Sequence, residues 1–253
     1  MGYRNHPVRP SPLQLQHFAE SLPDSYRANF SWPIIREHVA LSVARRPGTP
    51  AVGVCSATRL PGTALSVIAD DRPGLLATIS AAFVRENLDV IGAEAYTRIL
   101  PNHAREALDV FWVQRLGAED PRRPLSTGDI ARLEQTLAGM LADQLEPLNR
   151  AASVPPAKPG GIVEANVRFV EDKEGQLSWL EVETGDRAGL LLTLSRALFD
   201  QKVQIESCHV RTKAGRVSDK FAITELNDDP IGSERRLQIQ VAVLAAIQKI
   251  MGG

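Results

Sequence analysis

The spacing of apolar residues predicts strands and helices in one order, which occurs twice along the chain. Between residues 51 and 150 the pattern predicts two strands, a helix, two further strands and a second helix. Between residues 162 and 253 the same order returns. The pattern therefore predicts two modules of one design.

Turn and cap signals bound most of these elements. Pro61-Gly62 is a hairpin signal between the first two strands, and Ser126 or Thr127 is a candidate cap for the second long helix. The predicted elements are strands 51–57 and 64–69, a helix from about 75, strands 88–97 and 107–114, a helix at 126–145, strands 162–170 and 177–184, a helix at 188–200, strands 203–212 and 216–225, and a helix at 234–250.

The residues themselves repeat as well as the pattern. Residues 71–97 read DRPGLLATISAAFVRENLDVIGAEAYT, and residues 186–212 read DRAGLLLTLSRALFDQKVQIESCHVRT. The offset is 115 residues (186 − 71) with no gap, which is the size of a small domain rather than of a solenoid repeat. What the two copies share should therefore indicate what the module does.

The element order predicts an α+β fold of two ferredoxin-like modules. Each module would be an antiparallel four-stranded sheet with two helices on one face, in which the leading strand fills the edge position of the missing last strand. The other face of each sheet also carries apolar residues, among them Val110 and Trp112. We expect the other module or another subunit to cover it.

The rest of the chain completes the domain prediction. Residues 1–50 are predicted to be a flexible and helical N-terminal segment, with one helix ended by Pro23 and a second capped by Ser31. The predicted domains are 1–50 for this segment, 51–150 for the first module, 151–161 for a linker of sequence AASVPPAKPGG, and 162–253 for the second module.

Composition and charge remove several classes of function. The 29 basic and 30 acidic residues give a net charge of −1, so we expect neither a nucleic-acid nor a membrane partner. The two cysteines and five histidines have no metal-site spacing, so no metal and no cofactor is predicted. The N-terminus has no signal-peptide pattern, and we expect a cytoplasmic protein.

The turn between strand and helix carries the strongest chemical signal. Asp71 to Leu75 read DRPGL, and the second copy reads DRAGL. Glycine lets backbone N–H groups approach a partner closely, and free N–H groups at a helix start favour a carboxylate. Asp71 could accept from an ammonium group or cap the helix. A purely structural turn, with Pro73 in the first helical turn, is the alternative.

These residues resemble a known family of regulatory modules. The run DRPGLLATIS, followed by a strand that begins LDV or VQI, resembles an ACT domain, in both modules. The pair is further similar to the C-terminal region of bifunctional uridylyltransferase/uridylyl-removing enzymes. That similarity is carried by DRPGLLATISAAF, ALDVFWVQ, VPP and GDRAGLLLTLSRALFDQKVQI, and by FAESLPDSYRANFSWPIIREHVAL ahead of them.

The chain departs from those enzymes in two ways. It has no His-Asp pair and no Gly-Ser motif followed by spaced acidic residues, so catalysis is not expected. Ala188 also stands where the family commonly has proline, which makes the second turn less rigid.

The resemblance implies a non-catalytic, regulatory protein that binds a free amino acid, with glutamine as the leading candidate. It also implies self-association through the sheets and a protein partner in nitrogen signalling. The expected ligand-binding residues are Asp71, Arg72, Pro73, Gly74, Leu75, Asp89 and Val90 in the first module, and Asp186, Arg187, Ala188, Gly189, Leu190, Gln204 and Ile205 in the second.

Two alternatives remain open from the sequence. The chain could be the regulatory part of a uridylyltransferase whose catalytic domains are absent here. It could also be a sheet-mediated interaction module that has no small ligand. For the first turn, Asp89 and Val90 are expected to supply the facing surface.

Overall fold

The computed structural model describes residues 10–142, 164–171 and 178–252. The predicted linker at 151–161 lies outside the described residues. Within the first module the strands and helices are β1 (Ala51–Val54), β2 (Thr63–Asp70), α4 (Leu75–Arg85), β3 (Leu88–Ile99), β4 (Arg105–Arg115) and α5 (Thr127–Ala142). Within the second they are β5 (Asn166–Glu171), β6 (Ser178–Gly185), α6 (Leu190–Asp200), β7 (Val203–Lys213), β8 (Arg216–Glu225) and α7 (Ser233–Gly252).

Within residues 10–50, the described part of the N-terminal segment contains three helices where the sequence predicts two. These are α1 (Pro12–Glu20), α2 (Asp24–Asn29) and α3 (Trp32–Ala44). Ser31 is the N-cap residue of α3, as predicted, although its side chain makes no capping hydrogen bond. The short α2 was missed because six residues are too few to show a helical period.

The eight strands of the described residues form one antiparallel sheet in the order β1-β2-β4-β3-β7-β8-β6-β5. The α+β class and the strand order within each module are confirmed, including the leading strand at the outer edge. Strands β3 and β7 join the two halves by pairing from Gly92 with Arg211 to Tyr96 with Ser207. Because β3 and β7 are equivalent strands of the two copies, this seam relates the modules by an approximate twofold axis.

The helices of both modules cover the same face of the sheet and enclose the larger core. In the first module, Phe83 of α4 packs edge-on against Phe111 of β4, with ring centroids 4.9 Å apart. Helices α4 and α6 lie side by side across the seam, so that one hydrophobic core runs through both modules. Burial of this continuous apolar surface favours a fixed arrangement of the two modules.

The N-terminal helices cover the opposite face of the first module. Tyr26 and Trp112 are 0% and 1% exposed in the core that these helices form with the sheet. The Trp112 indole N–H donates to the carbonyl oxygen of Ala57 at 2.7 Å. The expectation that the other module or another subunit covers this face is therefore wrong for the first module. The segment ahead of it supplies the apolar surface instead.

The corresponding face of the second module is polar. Trp179 lies half-buried in a stack with His209, at 5.8 Å between ring centroids. Beside them Glu181 pairs with both Arg168 and Lys220. An antiparallel sheet can expose such a face to water, so it requires no cover.

We predict that Trp112→Ala lowers the free energy of unfolding by about 3–5 kcal/mol, because it empties a buried site and leaves a carbonyl group without its donor. Trp32 is the matched control, since it is 55% exposed on α3. Trp32→Ala should change stability by about 0.5 kcal/mol or less. Urea unfolding followed by circular dichroism measures both variants. Equal losses would contradict the assignment of Trp112 to the core beneath the N-terminal helices.

Candidate ligand site at the seam between the modules

Both repeated turns have the geometry of a type II β-turn. The N–H of Leu75 donates to the carbonyl oxygen of Arg72 at 3.1 Å, and Gly74 has φ 79° and ψ 4°. In the second copy the N–H of Leu190 donates to Arg187 at 3.0 Å, with φ 79° and ψ 8° at Gly189. This turn needs glycine at its third position and favours proline at its second. The repeated glycine therefore has a conformational cause.

Three expectations about these turns are wrong. Pro73 is not in the first helical turn, since Gly74 is the N-cap residue and α4 begins at Leu75. Asp71 does not cap the helix, because its carboxylate binds other side chains. Helix α6 begins at Leu190 rather than at 188. The type II turn accounts for all three, since it occupies the residues just before each helix.

The first turn packs against the second module. A Cβ atom added at Gly74 would lie 2.8 Å from the ring of Phe199, near the end of α6. Real Cβ atoms do not approach a neighbour that closely, so only glycine fits without movement of the ring. The glycine therefore serves the contact between the modules as well as the turn.

A cavity of about 30 Å³ lies beside this contact. Its walls come from the first turn, from β3 and β4, and from the end of α6 and the start of β7. That volume holds about two water molecules. The predicted site residues on its walls are Asp71, Arg72, Gly74, Leu75, Gln204 and Ile205.

Asp71 is the polar centre of the cavity. Its side chain is 5% exposed, and its Oδ2 accepts hydrogen bonds from the Thr97 hydroxyl and the Arg105 Nε, both at 3.0 Å. The Gln204 Nε2 lies 3.4 Å from each carboxylate oxygen. Asp71 therefore receives donors from its own module and from the other one.

The two arginines at the cavity have partners of their own. Arg105 donates through Nη2 to both carboxylate oxygens of Glu206, at 2.9 and 2.8 Å, and so ties β4 to β7. Arg72 donates from Nη2 to the carbonyl oxygen of Leu141 at 2.6 Å. Both guanidinium groups are thus held in place, Arg105 across the seam and Arg72 against α5.

The second turn faces the start of β3. There Asp89 is 8% exposed and lies 3.4 Å from the Gln114 Nε2. Burial raises the pKa of Asp89 to about 6, with a further rise from Asp186, while the backbone N–H of Gly189 acts in the opposite direction. Of the other predicted residues here, Leu190 is buried, Val90, Arg187 and Ala188 are half-buried, and Asp186 is exposed.

Each turn therefore faces the other module. The expectation that Asp89 and Val90 supply the facing surface for the first turn is wrong, because they lie at the opposite end of β3 from Thr97, which binds Asp71. The facing surface is Gln204 and Ile205 instead. The cause is the antiparallel pairing of β3 with β7, which brings each strand start beside the partner module's turn.

The two turns differ in charge although their sequences are similar. Gln204 faces the first turn at the position that Asp89 takes for the second, 115 residues earlier. Arg105 neutralises Asp71. Within the described residues, no ion pair involves Asp89 or Asp186. The first site is therefore nearly neutral, and the second is acidic.

Sequence reasoning missed several residues of the first site. Thr97 had a signal, since Thr212 repeats it and likewise donates to the aspartate of its own turn. The sequence contains no such signal for Arg105 or Glu206, because neither residue has a chemically similar counterpart in the other copy. Phe199 becomes relevant only through its contact with Gly74.

No group of three or more metal-ligating side chains is found within residues 10–142, 164–171 and 178–252. In that same part of the chain, no helix has both the length and the apolar character needed to cross a membrane.

Comparison with known proteins identifies relatives of one kind. The chain is 32% identical over 240 residues to the bifunctional uridylyltransferase/uridylyl-removing enzyme of Erythrobacter litoralis, covering 92% of this chain and 25% of the enzyme. Identity to the Phenylobacterium zucineum enzyme is 28%, over 92% of this chain and 24% of that one. Identity to the Burkholderia vietnamiensis enzyme is 35%, over 71% of this chain and 20% of that enzyme. The chain thus spans about a quarter of the length of these relatives.

Two other comparisons add nothing to this. No protein-family model matches the chain. Among solved structures, the trimeric microcompartment shell protein PduB gives a TM-score of 0.26 at 12% identity, over 83% of this chain and 91% of that one. An unknown protein from Galdieria sulphuraria gives a TM-score of 0.22 at 16% identity, over 75% of this chain and 90% of that one. Likenesses this low carry no argument.

The fold, the repeated turns and the sequence similarity define a pair of ACT-type modules. Over most of its length the chain is homologous to the C-terminal quarter of bifunctional uridylyltransferase/uridylyl-removing enzymes, the region in which ACT domains lie. The match lies outside the catalytic domain of those enzymes.

We predict that Gly74→Ala lowers the free energy of unfolding by about 1–3 kcal/mol more than Gly117→Ala does. Both glycines have positive φ, of 79° and 67°, so both variants carry the same backbone strain. Only Gly74 adds a steric clash, since no atom lies within 4 Å of a Cβ at Gly117. Urea unfolding of both variants measures the difference. Equal losses would show that Phe199 moves aside without cost.

Asp89 should make stability depend on pH. A carboxyl whose pKa is raised in the folded state contributes stability at low pH and loses it as the pH rises, here from its usual value of 3.8 through about 6. Asp89→Asn removes this loss. Between pH 4 and pH 8 the variant should therefore gain about 2–3 kcal/mol relative to the wild type.

Denaturant unfolding at several pH values measures this gain, with Glu119→Gln in an exposed loop as the control. A constant difference between Asp89→Asn and the wild type across the range would mean that Asp89 ionises normally in the folded protein.

Proposed function

We propose that the chain is a non-catalytic, cytoplasmic regulatory protein that senses a free amino acid, with glutamine as the leading candidate. The observation that carries this proposal is the cavity between the first turn and the start of β7, where polar groups of both modules meet. Homology to the regulatory C-terminal region of the uridylyltransferases supports it. A ligand held there would contact both modules at once.

The contact of Gln204 with Asp71 favours an amino acid whose side chain carries an amide, as glutamine does. The primary amide of Gln204 already lies 3.4 Å from both Asp71 oxygens, and a free glutamine carries the same amide group. Leu76 and Ala77 at the start of α4 line the same cavity, and the free N–H groups of a helix start suit the carboxylate of a free amino acid. The wall chemistry therefore fits the side-chain amide and the carboxylate of glutamine.

The cavity must open before such a ligand can enter. Its volume of about 30 Å³ holds water but not an amino acid. Displacement of the Gln204 side chain, with movement of Phe199, would enlarge it. Binding would then favour an opened arrangement of the seam, by no more than the difference in affinity between the two arrangements.

One contact would carry that change to the N-terminal segment. Arg45, at the end of α3, donates from Nη2 to Asp70 at 2.6 Å and from Nε to Glu106 at 3.2 Å. Asp70 directly precedes Asp71. The second module has Gly185 at the position of Asp70, so that only the first turn is joined to the N-terminal helices in this way.

Two other functions remain as candidates. The chain spans about a quarter of its relatives, so it could serve as the regulatory part of a uridylyltransferase whose catalytic domains lie elsewhere. It could also be an interaction module that associates through its sheet and has no small ligand. For the sensor, we further propose that the protein self-associates and that it has a protein partner in nitrogen signalling.

We predict that calorimetric titration with glutamine, and then with the other amino acids, gives saturable binding. Saturation at 100 times Kd should also raise the free energy of unfolding by about 2.7 kcal/mol, which provides a second measure when the heat is small. Pro73→Ala gives the first turn the sequence of the second, and Ala188→Pro does the reverse. Pro73→Ala should weaken glutamine binding at the first turn, because proline favours the backbone conformation that the type II turn requires.

The stoichiometry of the wild type shows whether one turn or both bind. Hydrogen exchange of α3 with and without glutamine tests the connection through Arg45, and unchanged exchange on saturation would overturn it. Neither heat nor stabilisation with any amino acid, from folded protein, would overturn the sensor. Light scattering would then test the interaction module, which requires oligomers.

A further inference from the structure

Asp109 is a buried acid on the wall of the cavity at the first turn. It lies within β4, and only 3% of its surface is exposed. Its side chain lines the same cavity as Asp71 and Gln204. The cavity therefore has two carboxyl groups on its walls, one from the turn and one from the sheet.

No cation neutralises Asp109 within the described residues. Arg72 is engaged with a backbone carbonyl group of α5. Arg105 is engaged with Asp71 and Glu206. Neither guanidinium group is therefore paired with Asp109.

The surroundings of Asp109 favour its protonated form. Burial raises its pKa well above the usual range and the negative charge of Asp71 raises it further, while the backbone N–H of Tyr96 acts in the opposite direction. The charged and titratable groups near Asp109 are Asp71 and Arg72 of the turn, Tyr96 of β3, and Glu206 and Cys208 of β7. Arg105 of β4 is bound to Asp71. Burial and the charge of Asp71 thus both favour the carboxylic acid over the carboxylate when no ligand is present.

We propose that Asp109 binds the ammonium group of the ligand and releases its own proton as that ligand enters the cavity. The inference rests on the proposed function, because it requires an amino acid at this site. An ammonium group between Asp71 and Asp109 replaces repulsion by attraction, which favours the ionised carboxylate. One proton passes from the Asp109 carboxyl group to solvent, and the ammonium group of the ligand becomes the partner of the carboxylate that is left. The ligand is a zwitterion with no net charge, so the occupied site has one positive charge fewer than the empty one.

Asp219 provides a matched control in the second module. It takes the corresponding position in β8, is 1% exposed, and has a pKa raised well above the usual range by burial. Its Oδ1 accepts a hydrogen bond from the backbone N–H of Arg211 at 3.3 Å, which corresponds to the bond from the Tyr96 N–H at Asp109. It differs from Asp109 in that it is not among the residues that line the cavity at the first turn. A general effect of buried acids would therefore appear at both positions.

The test is calorimetric titration of the full chain with L-glutamine at pH 7 in phosphate and in Tris, whose ionisation enthalpies differ. The difference in heat between the buffers gives the number of protons released on binding. We expect about one proton for each first site that is filled, in the wild type and in Asp219→Asn. The Asp109→Asn variant should release almost no protons and should bind glutamine roughly tenfold to a hundredfold more weakly.

N-acetylglutamine lacks the ammonium group, so it tests whether that group causes the release of the proton. It should cause no proton release at any concentration. Proton release equal to that of glutamine would overturn the proposal.

The remaining outcomes separate this inference from the proposed function. Glutamine binding with the same heat in both buffers would overturn the role of Asp109 and leave the sensor in place. Equal loss of proton release in Asp109→Asn and Asp219→Asn would overturn it as well. No binding by the folded wild type would overturn both the glutamine sensor and this inference. The comparison of buffers uses the wild type alone, so it decides the question even when a variant does not fold.

Discussion

The antiparallel pairing of β3 with β7 is the contact on which the rest of the structure depends. It joins two four-stranded sheets into one of eight strands and sets α4 beside α6. Because the paired strands are equivalent in the two copies, the pairing brings each module's turn to the start of the other module's strand. The cavity at the first turn and its polar wall exist only because of this contact.

The seam also explains why two turns of similar sequence form different sites. The first is closed over by Phe199 and Gln204, and its aspartate is neutralised by Arg105. The second keeps Asp89 and Asp186 together without an ion-pair partner in the described residues. Sites that face unlike surfaces can diverge in charge after duplication, even when each turn retains its glycine.

Much of the fold could be predicted because it depends on local patterns. The helical stripes, the alternating strands and the 115-residue repeat specify the element order, and the order specifies the four-stranded sheet of each module. The cover of the first module could not be predicted in the same way. Tyr26 and Trp112 belong to the same core although more than eighty residues of sequence separate them, and nothing in either local pattern indicates the other.

The sequence alone determined the two modules, their strand order and the glycine of each turn, since periodicity and backbone conformation are local properties. Only the tertiary structure decided what each turn faces. Thr97, Arg105 and Gln204 reach Asp71 from three different strands or loops, and the second module supplies one of them. Contacts between distant segments depend on how the sheets pair, and no local pattern of residues specifies that pairing.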